Sequence, residues 1–216
     1  MKQLRQYIRQ ILKESRLLTE SAKTAADMPE GTVIKITPIL DDVYEINYAL
    51  KDPNITAKNI NHEYWSNEFY GKILIRHSGD ADGYCGNSMR VVGSETADGW
   101  GPLLYDIAME YATIHGDGLT SDRASVSTEA LEVWEYYMYN RSDVTAYQLD
   151  DMQNTLTPDK FDNCRQDAAE EEADEDEDGL AWVDSSLSKR YTKEPTTINA
   201  MLASGQLVYM PKEHRY

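Results

Sequence analysis

The chain changes its hydrophobic rhythm several times, and each rhythm predicts an element. In residues 1–20, Leu4, Ile8, Ile11, Leu12 and Leu18 recur at helical spacing, with Lys2, Arg5, Arg9, Lys13 and Arg16 between them. That pattern predicts an amphipathic helix. Residues 21–31 are small and polar, ending in Met28-Pro29-Glu30-Gly31, and read as a linker. From 32 to 50 the pattern turns to near alternation. Val33, Ile34, Ile36 and Ile39 precede Asp41-Asp42, and Val43, Tyr44, Ile46 and Tyr48 follow, which predicts a β-hairpin. Residues 51–68 read as loop, with a short helix near 63–69. A third strand at 71–76 and a fourth at 87–93 flank a turn at 78–83. The apolar run from Leu103 to Ala112 predicts a helix from Pro102 to about His115, stopped by Gly116-Asp117-Gly118. Leu119–Ser121 reads as a short strand.

A second helix starts after Ser127, with either Ser125 or Ser127 as its cap and Glu129 in its first turn. Its apolar face carries Ala130, Val133, Trp134, Tyr137 and Met138, and Asn140-Arg141-Ser142 ends it. The cluster Trp134, Tyr136, Tyr137 and Tyr139 reads as core and helix surface. Beyond Asp150-Asp151, itself a helix cap or surface pair, the pattern weakens. Residues 158–170 and 197–203 read as helices, and Leu207–Met210 is a short apolar end. The organisation is then a leader helix (1–20), a linker (21–31), a folded domain (32–150) and a C-terminal extension (151–216).

Charge sharpens this picture. The 216 residues hold 38 Asp and Glu against 21 Lys and Arg, a formal charge of −17. The leader alone carries +3 (five basic, two acidic), so the remainder carries −20. Residues 167–178 hold nine carboxylates in twelve positions and no basic residue; such a run repels itself and reads as a solvated tract. A body this acidic does not bind DNA or RNA through phosphate neutralisation. No apolar run approaches the ~18 residues of a membrane span. The N-terminus has no secretory signal. Cys85 and Cys164 form no CxxC pair and suggest no disulfide framework, which fits a reducing cytoplasm. His62, His77, His115 and His214 show no metal spacing. Asp80, Asp82 and Gly83 start like a calcium loop, but the twelfth position is Val91 rather than Glu. No metal is expected.

The stretch with the clearest chemistry is Thr96–Gly101, T-A-D-G-W-G, followed by Pro102. Proline is favoured at the first position of a helix, where its missing N–H would be unpaired anyway. A glycine loop opening a helix leaves backbone donors pointing outward, at the positive end of the helix dipole. Such a place suits a phosphate. Thr96, Asp98, Gly99, Trp100 and Gly101 are the candidate binding residues.

The order of antiparallel strands, glycine loop, helix, short strand and helix resembles the GNAT superfamily of N-acetyltransferases, over roughly residues 32–140. That family carries R/Q-x-x-G-x-G/A between its fourth strand and the next helix; Gly99 and Gly101 fit, and Thr96 replaces the expected Arg or Gln. The family's N-x-x-A-x-x-L-Y is met by Ser127, Ala130, Val133 and Trp134. The resemblance implies an α+β fold with a mixed, mainly antiparallel sheet flanked by helices. It implies acetyl-coenzyme A held by the loop and Ser127 between splayed fourth and fifth strands. It also implies backbone N–H groups that polarise the thioester, and transfer to an amine of a small molecule or a protein. Glu68 or Glu95 would accept the amine proton. Trp134 stands where many members keep the tyrosine that protonates the departing thiolate. Among its neighbours, which project from other faces of the helix, Tyr137 is the candidate acid.

The leader resembles those of internal head proteins of large tailed phages, including marine ones. Such leaders are cut after Leu/Ile-x-Glu, and Leu12-Lys13-Glu14 and Leu18-Thr19-Glu20 both match. This resemblance implies a phage protein in the host cytoplasm, packaged in the virion in some readings. Capsid or other phage proteins are then possible partners. A non-catalytic virion or interaction protein, or an inhibitor of a basic host protein, are the alternatives to an enzyme.

Overall fold

A computed structural model describes residues 22–51, 70–78, 85–151, 155–159, 161–167 and 181–211. The leader helix, the short helix near 63–69 with Glu68, the turn at 79–83 and the acidic tract beyond 167 lie outside the described residues.

The predicted hairpin forms as β1 (Thr32–Pro38) and β2 (Val43–Leu50). Two strands follow, β3 (Gly71–His77) and β4 (Met89–Thr96). Then come α1 (Gly101–His115), β5 (Leu119–Thr120) and α2 (Thr128–Asn140). The later chain adds β6 (Val144–Gln148), the short α3 (Ala181–Asp184), β7 (Lys189–Lys193), α4 (Thr196–Ser204) and β8 (Leu207–Tyr209). Among the described residues the strands make one sheet in the order β6-β7-β5-β4-β3-β2-β1-β8. Only β4/β5 and β1/β8 pair in parallel; the other neighbours are antiparallel. The fold class is α+β, with a mixed and mainly antiparallel sheet flanked by helices. Residues 189–209, from the C-terminal extension, supply two of its strands.

α1 is the centre of the core. Leu103, Leu104, Ile107, Ala108, Met109, Tyr111 and Ala112 are all buried, so the helix is covered almost all round. It lies on Ile34, Ile36, Ile46, Ile73 and Ile75 of the sheet, with α4 on its far side. Each such side chain, fully buried, contributes about 1.5–3 kcal/mol. The charged residue that α1 buries in this packing is Glu110. It accepts bonds from Thr197 N (2.9 Å), Ile198 N (2.7 Å) and the buried Lys193 ammonium.

Three expectations are corrected. Cys85 and Cys164 are joined in a disulfide across 79 residues. The spacing carries no hint of it. The two meet because Asn163 bridges to Asp150 in parallel and Gly86 N donates to the Phe161 carbonyl at 2.7 Å. The described part of 158–170 is extended chain and turn, not helix; only Asp167 has helical character. Asp150 and Asp151 are neither a helix cap nor a surface pair but are buried. Asp150 Oδ1 takes the amides of Leu156 and Thr157 (2.6 and 2.9 Å), which folds the loop back on itself.

Candidate functional site

β4 and β5 pair at only two positions, Met89 with Leu119 and Arg90 with Thr120, and then part. On the β3 side, Leu74 opposes Gly93 while Ile75 opposes Val91. Val92 is therefore the extra residue of a β-bulge against β3. A bulge bends its strand and increases the local twist. The parted strands leave a half-open cleft of about 210 Å³, with Val91–Ser94 on one wall and Asp122 and Ser125–Ser127 on the other. Tyr105, Ala130 and Trp134 complete the lining.

Each wall is held by local chemistry. Asp122 Oδ1 accepts the amides of Ala124 (2.8 Å) and Ser125 (3.0 Å), the side-chain turn expected of Asp at this place. Ser127 Oγ accepts Ala130 N at 3.3 Å, so of the two possible caps it is Ser127 that opens α2. Ser94 Oγ and Tyr105 Oη lie 3.1 Å apart. Burial raises the Tyr105 phenol and the Ser94 hydroxyl offsets part of that rise. Trp134 is 1% exposed, stacked on Tyr191 at 5.1 Å and edge-on to Tyr105 at 5.8 Å.

The glycine loop follows directly where β4 leaves the cleft. Gly99 has φ +78, a conformation glycine adopts without cost. Ala97 N donates to the Tyr70 carbonyl (2.9 Å) and Trp100 N to the Ala97 carbonyl (3.0 Å), so two of the loop's amides are in use. Pro102 has none. The amides of Asp98, Gly99 and Gly101 have no hydrogen-bond acceptor among the described residues. The Trp100 ring points into the fold against Tyr48 (5.3 Å) and Tyr70 (4.8 Å), and its carbonyl accepts Tyr48 Oη at 2.9 Å. The 21–31 segment touches the loop through Lys23 N and the Gly99 carbonyl (2.9 Å). Thr96 Oγ1 lies 3.1 Å from where a Gly101 Cβ would stand.

The predicted residues therefore divide. Thr96, Asp98, Gly99 and Gly101 sit together at the loop, and Ser127 lines the adjoining cleft. Glu95 is exposed at the end of β4, opposite Lys72 and outside the cleft lining. Glu68 lies outside the described residues. Tyr137 is buried away from the cleft. Its hydroxyl is 2.8 Å from Asp106 Oδ1 and 3.1 Å from the Pro102 carbonyl. Burial, and then Asp106, push its phenol far above the ordinary range. Arg141 completes that cluster by pairing with Asp106 at 3.0 Å. The cleft residues that sequence reasoning passed over are Ser94, Tyr105, Asp122 and Ser125. Tyr105 reads as one more apolar helix position, and only the S-D-R-A-S turn around Asp122 carried a local signal.

Among the described residues no group of three or more His, Cys, Asp or Glu is placed to hold a metal. No described helix is long and apolar enough to cross a membrane. The fold and cleft together define an α+β protein with a small half-open cleft between β4 and the chain that follows β5, beside a helix N-terminus. Compared with known proteins, the chain matches no family model, no curated protein and no solved structure.

Proposed function

We propose that this is a GNAT-like protein that holds acetyl-coenzyme A in the cleft between β4 and β5 and passes the acetyl group to an amine. The carrying observation is that β4 pairs with the two-residue β5 only at Met89 and Arg90 and then runs on without it to the glycine loop. In this reading the Asp98, Gly99 and Gly101 amides receive the diphosphate, helped by the α1 dipole. A cleft of about 210 Å³ is below the usual size for a whole drug-sized ligand, so it takes the thioester end while the nucleotide lies outside. In this reading a main-chain amide of the bulged stretch at Val92 is the donor for the thioester carbonyl. Calorimetric titration of the full chain with acetyl-coenzyme A tests the reading. Binding that is weakened by inorganic pyrophosphate is the expected outcome. No heat at millimolar ligand would remove the coenzyme from the account.

A second reading, a non-catalytic virion or interaction protein on the same fold, is favoured by one observation. Trp134 fills the place of the family's acid, and Tyr137 is already bonded to Asp106. In that reading the protein acts in a host cytoplasm or inside the virion, through its basic leader and acidic surface. Mass spectrometry of packaged protein would then find a new N-terminus at Ser15 or Ser21. An intact Met1 counts against it.

A further inference from the structure

The Cys85–Cys164 disulfide ties together the supports of both cleft walls. Cys85 lies just before β4: its carbonyl accepts Ser88 Oγ (2.6 Å), and Met89 begins the strand whose Val91–Ser94 form one wall. Cys164 belongs to the segment 161–167 that braces the other wall. Asp167 N donates to the Arg123 carbonyl (3.0 Å) and Gln166 Nε2 to the Asp122 carbonyl (3.0 Å). In return, the Arg123 guanidinium donates to the carbonyls of Arg165 (3.1 Å) and Cys164 (3.4 Å), and to that of Leu187 (3.1 Å). Four of these bonds fasten the 164–167 stretch to residues 122 and 123, which lead straight into the wall at 125–127. Segment 161–167 has little regular structure of its own, so its position depends on such ties.

We propose that the cleft's binding shape is coupled to the redox state of Cys85–Cys164, with the oxidised form binding and the reduced form loosened. This inference deepens the coenzyme reading and, for its ligand, rests on it. A dithiol reductant supplies the chemistry: one thiolate attacks a protein sulfur, a mixed disulfide forms, and the second thiol resolves it. The protein gains two electrons and two protons as two thiols, and the reductant leaves as its own disulfide. Both cysteines are fully buried, so attack follows local opening of the 161–167 segment, the same motion that releases the wall. A thiol-rich cytoplasm provides such reductants, and an oxidising setting would keep the bond closed.

The test uses the full chain, oxidised and after treatment with excess dithiothreitol. Amide hydrogen exchange is followed by mass spectrometry, and acetyl-coenzyme A binding by calorimetry. The expected result is at least tenfold faster exchange at 122–131 after reduction, unchanged exchange in β1 and β2, and at least fivefold weaker binding. Gln166→Leu in the oxidised protein removes one brace without touching sulfur, and is expected to speed exchange in the same stretch. Equal protection at 122–131 in both redox states overturns the proposal. So does loss of protection throughout β1 and β2, since the bond would then hold the whole fold rather than the cleft. If the oxidised chain binds no acetyl-coenzyme A, the coenzyme reading fails alone, and the exchange data still decide the coupling.

Discussion

Glu110→Gln probes the one carboxylate on the buried face of α1. Glu110 is fully buried midway along α1, and its carboxylate serves α4 from outside that helix. The N-cap of α4 is Pro195, which has no side-chain acceptor. The orphan first-turn amides of Thr197 and Ile198 donate instead to Glu110 Oε1 and Oε2, at 2.9 and 2.7 Å. The Lys193 ammonium, 3% exposed, is the counter-ion. Glutamine keeps the shape but removes the charge, and it sets an NH₂ against either the Ile198 N–H or the Lys193–Thr197 donors. Breaking a buried pair from one side costs about 3–5 kcal/mol. Asp143 Oδ2, 3.7 Å from Lys193 Nζ, remains as a partial counter-charge, which argues for the lower end. For a domain of this size a loss of ~3 kcal/mol lowers the melting midpoint by about 6–12 °C. Calorimetric melts, with urea unfolding to confirm an unchanged slope, measure it. Thr197→Ala, which removes only the Lys193 contact at 3.2 Å, should cost about 1 kcal/mol or less. A Glu110→Gln midpoint within about 2 °C of wild type would refute the claim that this carboxylate holds α4 in place.

Gly101→Asp should abolish acetyl-coenzyme A binding while leaving the melt nearly unchanged. Its Cβ meets only Thr96 Oγ1 at 3.1 Å, but its charge faces the proposed diphosphate; retained affinity would dismiss the loop. Tyr137→Phe should lose about 1 kcal/mol of stability and leave any transfer rate unchanged, since its hydroxyl serves Asp106. Tyr105→Phe should instead lower kcat with little change in coenzyme affinity; steady-state kinetics on both variants separates the two phenols. Burial holds Lys189 at about 8, against 10.5 for a free lysine. Between those values the unfolded chain binds more protons, so this group adds stability as pH rises from about 8 toward 10.5. Urea midpoints across that window should climb in wild type and climb less in Lys189→Met; parallel curves would contradict the assignment.

What the sequence reveals depends on how each element satisfies its inward positions. β1, β2 and α1 fill them with Ile, Val, Leu and Tyr, so their rhythm is legible, and Ser127 marks the start of α2 by the chemistry of its cap. β7 is illegible for a physical reason. Its inward residues are Lys189, Tyr191 and Lys193, and two of the three look like surface. Lys189 is accommodated by Gln148, Val183 and Ser188, and Lys193 by Glu110, Thr196 and Thr197; Gln148 and Glu110 lie far away in the sequence. β6 pairs only with β7, so it could not be recognised before its partner. The glycine loop was readable because backbone requirements are written locally, in Gly99, Gly101 and Pro102. The cleft beside it was not, because it arises from the bulge at Val92 and from where two strands stop pairing. The disulfide was hidden for the same reason: nothing near Cys85 or Cys164 indicates that a parallel bridge will bring them together.

Binding and transfer make different demands on this site. Holding a diphosphate asks only for oriented main-chain donors, and the loop offers three amides with no acceptor among the described residues. Transfer asks in addition for groups that move a proton at the reacting atoms. The titratable side chains on the cleft wall are Asp122 and Tyr105, and neither Tyr137 nor Glu95 is among them. In the acetyltransfer reading, a phenol held above its usual value by burial keeps its proton at neutral pH and can donate a hydrogen bond to the departing thiolate. On the same reading Asp122 is the carboxylate nearest to an incoming amine, with its Oδ1 accepting the turn amides. If the proposed reading holds, tryptophan at 134 therefore still leaves one phenol, Tyr105, on the cleft wall. On the proposed reading the donor's part falls to Tyr105 on α1, whose phenol lies 3.1 Å from the Ser94 hydroxyl.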